Sequence, residues 1–479
     1  MVKLIAFGFV LLGFQSAHAQ SGFEPTSYGW TWENIISSDG DLPFWSHSNR
    51  YGIIDQQGPN SLFRIYSRKE EALEKGNTIR YGYGLEAVSR WSEASGVWFN
   101  QLFVEFGWKN WRLSGGRFNQ IIGSMDNEHS IGSMMISPNG TPVPTIRLQT
   151  TEYTDVPFTK GLFSYSASFS HSWLEPDRTI ERAQLHQKSF HLKLSISRFS
   201  AYYGVIHNVM WAGENDDQGR LPQSLNDYWR VVTARGAGQR FEIDGERSNA
   251  LGNTVASYDG GVSFSFNNFD LNTYRSFYIE DSPGVRYRSS WDGIWGLEVV
   301  PKTKNRRIRS FVYEHVNTKR QDSFDFQPFG RATIYDHFLY QDGWTYEGRV
   351  LGNPLITFND QGDVVNNILI AHHIATDIQL NDRTRALIKA TYSRNYGVCL
   401  DQVPNTLPQS CQTRPEDEDQ LIDLSELRNV QWSFFSRVDY SGWMRNALTL
   451  FVATSFDIGE FYQDRIGIHL GVSFKGPVN

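Results

Sequence analysis

Three stretches of this 479-residue sequence combine aromatic side chains with Arg, Asn and Glu. Sugars offer apolar C–H faces and arrays of hydroxyl groups, so a sugar site needs aromatic platforms beside side chains that form bidentate hydrogen bonds. This mixture of residue types indicates a surface that binds polysaccharide. The residues predicted to form it are Trp211, Arg220, Asn226, Tyr228, Arg230, Tyr278, Glu280, Arg286, Arg288, Trp344, Tyr346 and Arg349.

The arginines are the strongest of these predictions, because a guanidinium group pairs with a carboxylate through two parallel hydrogen bonds. Acidic polysaccharides offer such carboxylates as uronates. A structural role is the alternative, since arginines and acidic residues also form ladders inside barrels, and Trp and Tyr also form belts at membrane surfaces.

Patterns for catalysis or metal binding are weak. The sequence has no HExxH, GxSxG, phosphate-loop or CxxC motif. His372 and His373 resemble a metal pair, but neighbouring residues on a strand face opposite sides and cannot share one ion. We therefore predict no catalytic residue, no metal and no cofactor. An outer-membrane hydrolase with a hydroxyl nucleophile remains an alternative, with its histidine drawn from His171, His191, His207 and His469.

Composition narrows the class of protein. The chain is 40% hydrophobic and 14% aromatic, with a formal net charge of −7 and a mean hydropathy of −0.44. It is too aromatic for a disordered chain and too polar for a helical membrane protein. Its Lys and Arg residues are scattered, so nucleic acid is not an expected partner.

The N-terminus has the zones of a cleavable secretory signal. Lys3 precedes an apolar run over 4–14, and Ala17-His18-Ala19 precedes Gln20. Residues 1–19 are therefore predicted to be a signal peptide; an uncleaved anchor would need about 20 apolar residues. Cys399 and Cys411, the only cysteines, would be exported to an oxidising compartment, where a disulfide is expected and two reduced thiols are the alternative.

Alternation with period two dominates the rest of the chain. Phe190, Leu192, Leu194 and Ile196 alternate with polar residues, which places the apolar side chains on one face of a strand. From Ile79 onward about sixteen such segments of about ten residues recur, the length that a tilted transmembrane strand requires. No later stretch has 18 continuous apolar residues, so a membrane location would demand a closed barrel.

Short and long connections alternate along these segments, as in outer-membrane barrels with short periplasmic turns and long extracellular loops. We therefore predict an all-β, transmembrane antiparallel β-barrel of 16 to 18 strands over residues 79–479. Residues 20–78 are predicted to be an N-terminal periplasmic or lead-in segment that adds at most two strands. Within it, Arg68 to Lys75 is predicted to be a short helix.

Several blocks in the long loops resemble the Wzi family of capsule-assembly outer-membrane proteins. They include RLPQSLNDYWRVV at 220–232, GVRYR at 284–288, DGIWGL at 292–297 and GWTYEGRVLGNPL at 343–355, with Ala371-His372-His373 further on. The resemblance implies an eighteen-stranded, largely occluded barrel that binds capsular polysaccharide without catalysis. The N-terminal region is shorter than in better-known members, and Lys475 to Asn479 follow Phe474, the expected terminal aromatic residue.

The sequence therefore predicts a lectin-like outer-membrane protein for capsule or exopolysaccharide assembly. Its expected partners are capsular or extracellular polysaccharide and outer-membrane lipid, and it is expected to be a monomer. A porin for small solutes is the alternative on the same architecture. Loop length separates the two, because long loops can fold inward and close the lumen.

Overall fold

The computed structural model describes residues 27–73, 78–123, 125, 128–236, 250–280, 284–287, 289–302, 307–319, 334–359, 361–398 and 428–476. The predicted signal peptide, the Cys399–Cys411 disulfide and Arg288 lie outside the described residues. They stay predictions.

In the described residues, eighteen antiparallel strands form a closed barrel. The first strand pairs with the last, from Gly29 opposite Lys475 to Ser37 opposite Gly467. The predicted fold class is thus confirmed. The strands are β1 (Ser27–Ser37), β2 (Asn60–Ala72), β3 (Ile79–Trp91), β4 (Gly96–Trp108), β5 (Trp111–Arg117), β6 (Pro144–Thr150), β7 (Phe163–Trp173), β8 (Gln184–Ile196), β9 (Phe199–Trp211), β10 (Asn253–Ser265), β11 (Phe269–Ile279), β12 (Gly293–Pro301), β13 (Ile308–Asn317), β14 (Leu369–Asn381), β15 (Thr384–Asn395), β16 (Asn429–Trp443), β17 (Leu448–Gly459) and β18 (Arg465–Lys475).

Side chains alternate across the barrel wall in the sense that a membrane requires. On β18, Ile466, Ile468 and Leu470 are exposed on the outer face, whereas Arg465 and His469 are buried on the inner face. Outward apolar residues face lipid, and closure of the sheet leaves no strand edge unpaired in hydrocarbon. The period-two pattern is the sequence signature of this arrangement.

The alternation of connection lengths is also confirmed. Two-residue turns such as 109–110, 197–198 and 382–383 join strands at one end of the barrel, and connections such as 118–143 and 318–368 join them at the other. Two short connections, Ser92 to Ser95 and Glu460 to Asp464, lie at the long-loop end. By analogy with outer-membrane barrels, the long-loop end is extracellular.

The predicted boundary at residue 79 is wrong, because the preceding segment supplies β1 and β2 to the wall. The predicted helix is wrong for Arg68 to Ala72, which extend β2 and pair with Gly84 to Arg80 of β3. A helix shorter than about 12 residues is marginal on its own. The strand hydrogen bonds to β3 decide the conformation instead.

Three connecting segments fold back into the lumen and fill it. We name them plug A (41–59), plug B (128–143) and plug C (334–359). All three belong to connections at the extracellular end of the barrel. Apolar side chains from all three pack into one buried cluster together with inward residues of the wall.

Hydrogen bonds tie plug A and plug B to polar side chains of the inner wall. In plug A, Trp45 Nε1 donates to Thr391 Oγ1 at 3.0 Å. In plug B, the Ser130 hydroxyl and the Ile131 N–H donate to the two carboxylate oxygens of Glu314, each at 2.6 Å. Buried donors and acceptors of plug and wall thus satisfy each other in place of water.

Plug C is held by plug B. The Tyr335 hydroxyl donates to the Met134 carbonyl at 2.5 Å, and Trp344 Nε1 donates to the Met135 carbonyl at 2.8 Å. A cavity of about 10 Å³ lies between plug and wall, which is roughly the space of one water molecule. In the part of the chain that the structure describes, packed side chains of the three plugs therefore occupy the lumen.

The helices among the described residues are short. Plug A contains α1 (Phe44–His47), and the connection between β9 and β10 contains α2 (Leu225–Val232). Within the described residues, neither is long and apolar enough to span a membrane.

The topology predicts which positions an impermeant thiol reagent reaches on intact cells. Single cysteines at Asp217 and Gln361, both exposed at the long-loop end, should be labelled in a background where both native cysteines are serine. Cysteines at Asn268 and Asp382, exposed in turns at the opposite end, should be labelled only after the outer membrane is permeabilised. The reverse labelling pattern would show that the barrel has the opposite orientation in the membrane.

Candidate functional site

The structure divides the predicted binding residues among three places. The first is the plug, where Trp344 is 0% exposed and Tyr278 packs edge-on against Tyr335 with ring centroids 6.1 Å apart. Arg349 Nη2 donates to the Ile54 carbonyl of plug A at 2.7 Å. The prediction that Trp344, Tyr278 and Arg349 form a surface platform is corrected, because these side chains hold plug segments together.

The second place is the outer face of the barrel wall, against which α2 packs. Ser224 caps the helix in a capping box with Asp227, which stabilises its first turn. The Tyr228 ring lies 5.3 Å from Trp211 and 5.5 Å from His186, between ring centroids. Trp211 and His186 project outward from β9 and β8. Of the predicted aromatic pair, Trp211 is therefore buried between helix and wall, and Tyr228 is half-buried against it.

The opposite face of α2 is open. Leu225 and Trp229 are 83% and 61% exposed, and Asn226 beside them is also exposed. Arg230 Nη1 donates to the Gly236 carbonyl at 2.6 Å, which closes the end of the helix. The Lys188 ammonium on β8 donates to the carbonyl of Val232, so cationic side chains secure both the helix and its place on the wall.

The connection after β11 also lies against the outer wall. The Tyr287 ring stacks on Tyr258 at 4.8 Å and lies 5.0 Å from Phe277. Arg286 is exposed beside it, and Glu280 is half-buried at the start of the connection. This part of the predicted site therefore lies on the outer face of the barrel, near its extracellular end.

The third place is the extracellular mouth, and its centre is a tight hairpin of Thr345–Tyr346 with Arg349–Val350. Glu347 and Gly348 form its turn with φ of 48° and 69°, the left-handed values that a two-residue hairpin turn needs. Arg117 Nη2 donates to both Glu347 oxygens, at 3.1 and 3.2 Å. The same guanidinium lies 5.8 Å from the centroid of the Tyr346 ring.

Buried charges support this hairpin from below. The Glu347 N–H donates to Glu175 Oε1 at 3.1 Å, and Arg178 Nη1 donates to the same oxygen at 2.9 Å. Arg178 also donates to the carbonyls of Thr345 and Gly343. Burial raises the pKa of Glu175, against the lowering effect of Arg178.

Two exposed arginines continue the mouth surface. Arg182 Nη1 contacts Glu214 Oε1 at 2.9 Å with its side chain 75% exposed. Glu214 pairs with Arg220 in a small hairpin, and Arg220 is exposed. We name Arg117, Arg182, Arg220, Tyr346 and Glu347 the mouth cluster. It presents guanidinium and carboxylate groups, and guanidinium groups bind the carboxylates of an acidic sugar polymer. The Tyr346 ring is only 4% exposed and packs beneath them, so its predicted role as a surface platform is corrected.

Sequence reasoning identified Arg220 and Tyr346 of this cluster and missed Arg117 and Arg182. These two come from other connections, and no local motif surrounds them. Only the folding of the loops over the barrel brings these side chains to the same end of the barrel.

Inside the lumen, three side chains have the connectivity of a hydrolase triad. His469 Nε2 lies 3.0 Å from Ser46 Oγ, and His469 Nδ1 lies 3.1 Å from Glu33 Oε1. The plug supplies the serine and the wall supplies the histidine and the acid. His469 was one of the candidate histidines, but its partners are separated from it by more than 400 positions and could not be assigned from spacing.

The burial of Ser46, His469 and Glu33 indicates a structural role for these three side chains. Ser46 is 0% exposed, and its hydroxyl also shares a hydrogen bond of 2.6 Å with Ser455 Oγ. Arg50 Nη2 donates to the second Glu33 oxygen at 2.7 Å. A nucleophile needs access to substrate and a nearby oxyanion site. The Ser46 hydroxyl instead holds plug A to β17 and β18 through hydrogen bonds.

The two adjacent histidines face opposite sides of β14, as predicted. His373 points inward, where its Nε2 donates to the His129 carbonyl at 2.8 Å. His372 points outward and stacks near His315 with ring centroids 4.7 Å apart. Among the described residues there is no group of three His, Cys, Asp or Glu side chains that could hold a metal ion.

Comparison with known proteins gives one family. A family model described as capsule assembly protein Wzi matches residues 17–364. No curated protein matches the chain by sequence.

Among solved structures, the chain is similar to Wzi of Escherichia coli, described as an outer-membrane protein involved in group 1 capsule assembly and as a carbohydrate-binding β-barrel. The two are 13% identical over 93% of this chain and 84% of that chain, with a TM-score of 0.57. This likeness concerns the fold. OpdQ and OprD of Pseudomonas aeruginosa are 10% and 11% identical, over 95% and 96% of this chain and 99% and 95% of theirs, with TM-scores of 0.47 and 0.44.

The triad-like group predicts a stability effect without an activity effect. Ser46→Ala leaves buried partners on His469 and Ser455 unsatisfied, which should lower the free energy of unfolding by about 1–3 kcal/mol. Ser89→Ala, on the outer face of β3, should change it little. A fluorophosphonate probe should not modify folded protein. Modification of Ser46, with ester hydrolysis lost in Ser46→Ala, would contradict the structural role.

Proposed function

Because the chain belongs to the Wzi capsule assembly family, whose barrels lie in the bacterial outer membrane, we propose that it binds capsular or extracellular polysaccharide and holds it at the cell surface. The observation that carries the proposal is the mouth cluster, which stands on the extracellular end of a barrel whose lumen is filled. The solved structure that it resembles is described as carbohydrate-binding.

An acidic polymer fits the charge and shape of the cluster. Arg182 and Arg220 are exposed on either side of Glu214, so their guanidinium groups can reach uronate carboxylates. Arg117 and Glu347 hold each other and limit the motion of the hairpin beside Tyr346. A rigid polar surface loses less conformational entropy when it binds.

Repeated sugar units strengthen such a site. Each single contact at an exposed surface is weak, because water and salt screen the charges. A polymer offers many equivalent units, so a unit that dissociates is replaced by its neighbour at high effective concentration. Retention on the surface therefore needs no deep pocket.

The filled lumen favours this function over a porin. A porin needs a continuous aqueous path, and plugs A, B and C occupy that path with apolar packing and hydrogen bonds to the wall. Nor does binding at the mouth require a reaction step, so we propose no enzymatic activity.

The test is binding of refolded protein to an immobilised uronate-containing capsular polysaccharide, compared with a neutral one. Arg182→Ala with Arg220→Ala should weaken binding to the acidic polymer about tenfold or more, because each charged hydrogen bond contributes roughly 1.5–3 kcal/mol. Lysine at both positions should restore part of it, since the charge returns without the planar fork.

Arg198→Ala is the matched control, because Arg198 is an exposed arginine in a turn at the opposite end of the barrel. Its binding should equal that of the parent. Heat-modifiable migration on gels should show that every variant is folded. Equal binding by the parent and the folded double variant would refute the mouth cluster as the site.

A further inference from the structure

A continuous row of polar and aromatic side chains crosses the outer face of the barrel near its extracellular end. Cross-strand pairing places its members directly opposite one another on six neighbouring strands, from β11 to β16. We name them the rim row: Arg275, Trp295, His315, His372, Tyr392 and Trp432.

Neighbouring members of the rim row are in contact. The Arg275 guanidinium lies 3.9 Å from the centroid of the Trp295 ring, a cation–π distance. The His315 and His372 rings lie 4.7 Å apart, and the Tyr392 and Trp432 rings 4.8 Å apart. Together the six side chains form one surface.

The row has apolar and polar neighbours on the outer wall. Two residues along each strand, the next outward positions on the periplasmic side include the apolar Leu297, Ile374 and Phe434. On the extracellular side they are polar at Asn317 and Arg394 and apolar at Ile370 and Val430. Polar side chains among apolar ones are expected near the depth where acyl chains end and headgroups begin.

The exposure of the tryptophans agrees with that depth. Trp295 and Trp432 are 37% and 43% exposed on the outer face. Tryptophan concentrates at membrane–water interfaces because its ring is apolar and its N–H is polar. An ordinary aromatic girdle would explain these two residues, but it would not explain Arg275 at one end of the row and Arg394 above it.

Polar side chains of this surface are partly open to the outer face. Arg275 and Arg394 are half-buried, so part of each side chain reaches the surface of the wall. The Tyr313 hydroxyl lies 2.9 Å from His372 Nδ1, and when it donates there, Nε2–H of His372 is left to donate outward.

We propose that the rim row, with Arg394, binds the phosphate of a phosphorylated glycolipid in the outer leaflet. Phosphate accepts several charge-assisted hydrogen bonds, and arginine matches its geometry. The apolar positions below the row would contact the acyl chains of the same molecule. A lipid therefore contacts both the polar side chains of the row and the apolar positions below it, whereas a free anion would contact only the polar side chains. The proposal does not depend on polysaccharide binding at the mouth.

Native mass spectrometry of the refolded barrel tests it, with bisphosphorylated lipid A as the probe and the same lipid without its phosphates as the comparison. The parent should retain the phosphorylated form at least tenfold better. Arg394→Gln with His372→Gln should lose that preference about tenfold. Arg309→Gln, which removes an exposed arginine near the periplasmic end of β13, should keep it.

Arg275→Gln is tested as a separate variant. Arg275 also donates to the carbonyls of Ser290 and Asp292, so this substitution removes loop contacts that the Arg394 and His372 substitutions leave in place. Both variants should migrate as folded barrels. Equal retention of the two lipid forms by the parent would overturn the proposal. So would unchanged preference in both folded variants, or displacement of lipid A by an equal concentration of inorganic phosphate, which would indicate a site for free anions.

Discussion

Closure of the barrel is the constraint on which the rest of this structure depends. In a membrane no strand edge can be left without partners, so β1 must pair with β18 and complete the cylinder. Period-two alternation then sends apolar side chains outward and polar side chains inward around the whole circumference. An inner wall lined with groups such as Glu33, Glu314 and His373 needs partners, and the plugs supply them.

Much of this architecture could be predicted, because alternation and connection length are local properties of the chain. Sixteen strands, the sidedness of the loops and the opposed directions of His372 and His373 followed from them. The first two strands were harder to recognise. Lys69, Glu70 and Glu71 in β2 resemble a helical charge pattern, and it is pairing with β3 that makes this segment a strand. Such pairing is a property of the closed sheet.

The binding residues could be predicted less well, since residue type does not say against which surface a loop packs. Trp344 and Tyr228 both belong to loop blocks rich in aromatics and arginines, yet Trp344 is buried in the lumen and Tyr228 packs, half-buried, against the outer wall. Arg220 is exposed at the mouth, whereas Arg349 donates a hydrogen bond to plug A. Folding of the loops inward and outward separated residues that the sequence places together, and it brought Arg117 and Arg182 to the mouth from elsewhere.

Packed protein closes the lumen in the described part of the chain, and we propose that ligands bind at the surface and do not pass through the barrel. Ion conductance of the purified parent protein in a planar lipid bilayer tests it most directly. We expect the protein to insert, as shown by co-purification of folded barrel with the bilayer lipid. We expect no steady ionic current above the leak of the bare membrane. A stable open-channel current of the size carried by a general porin would contradict it.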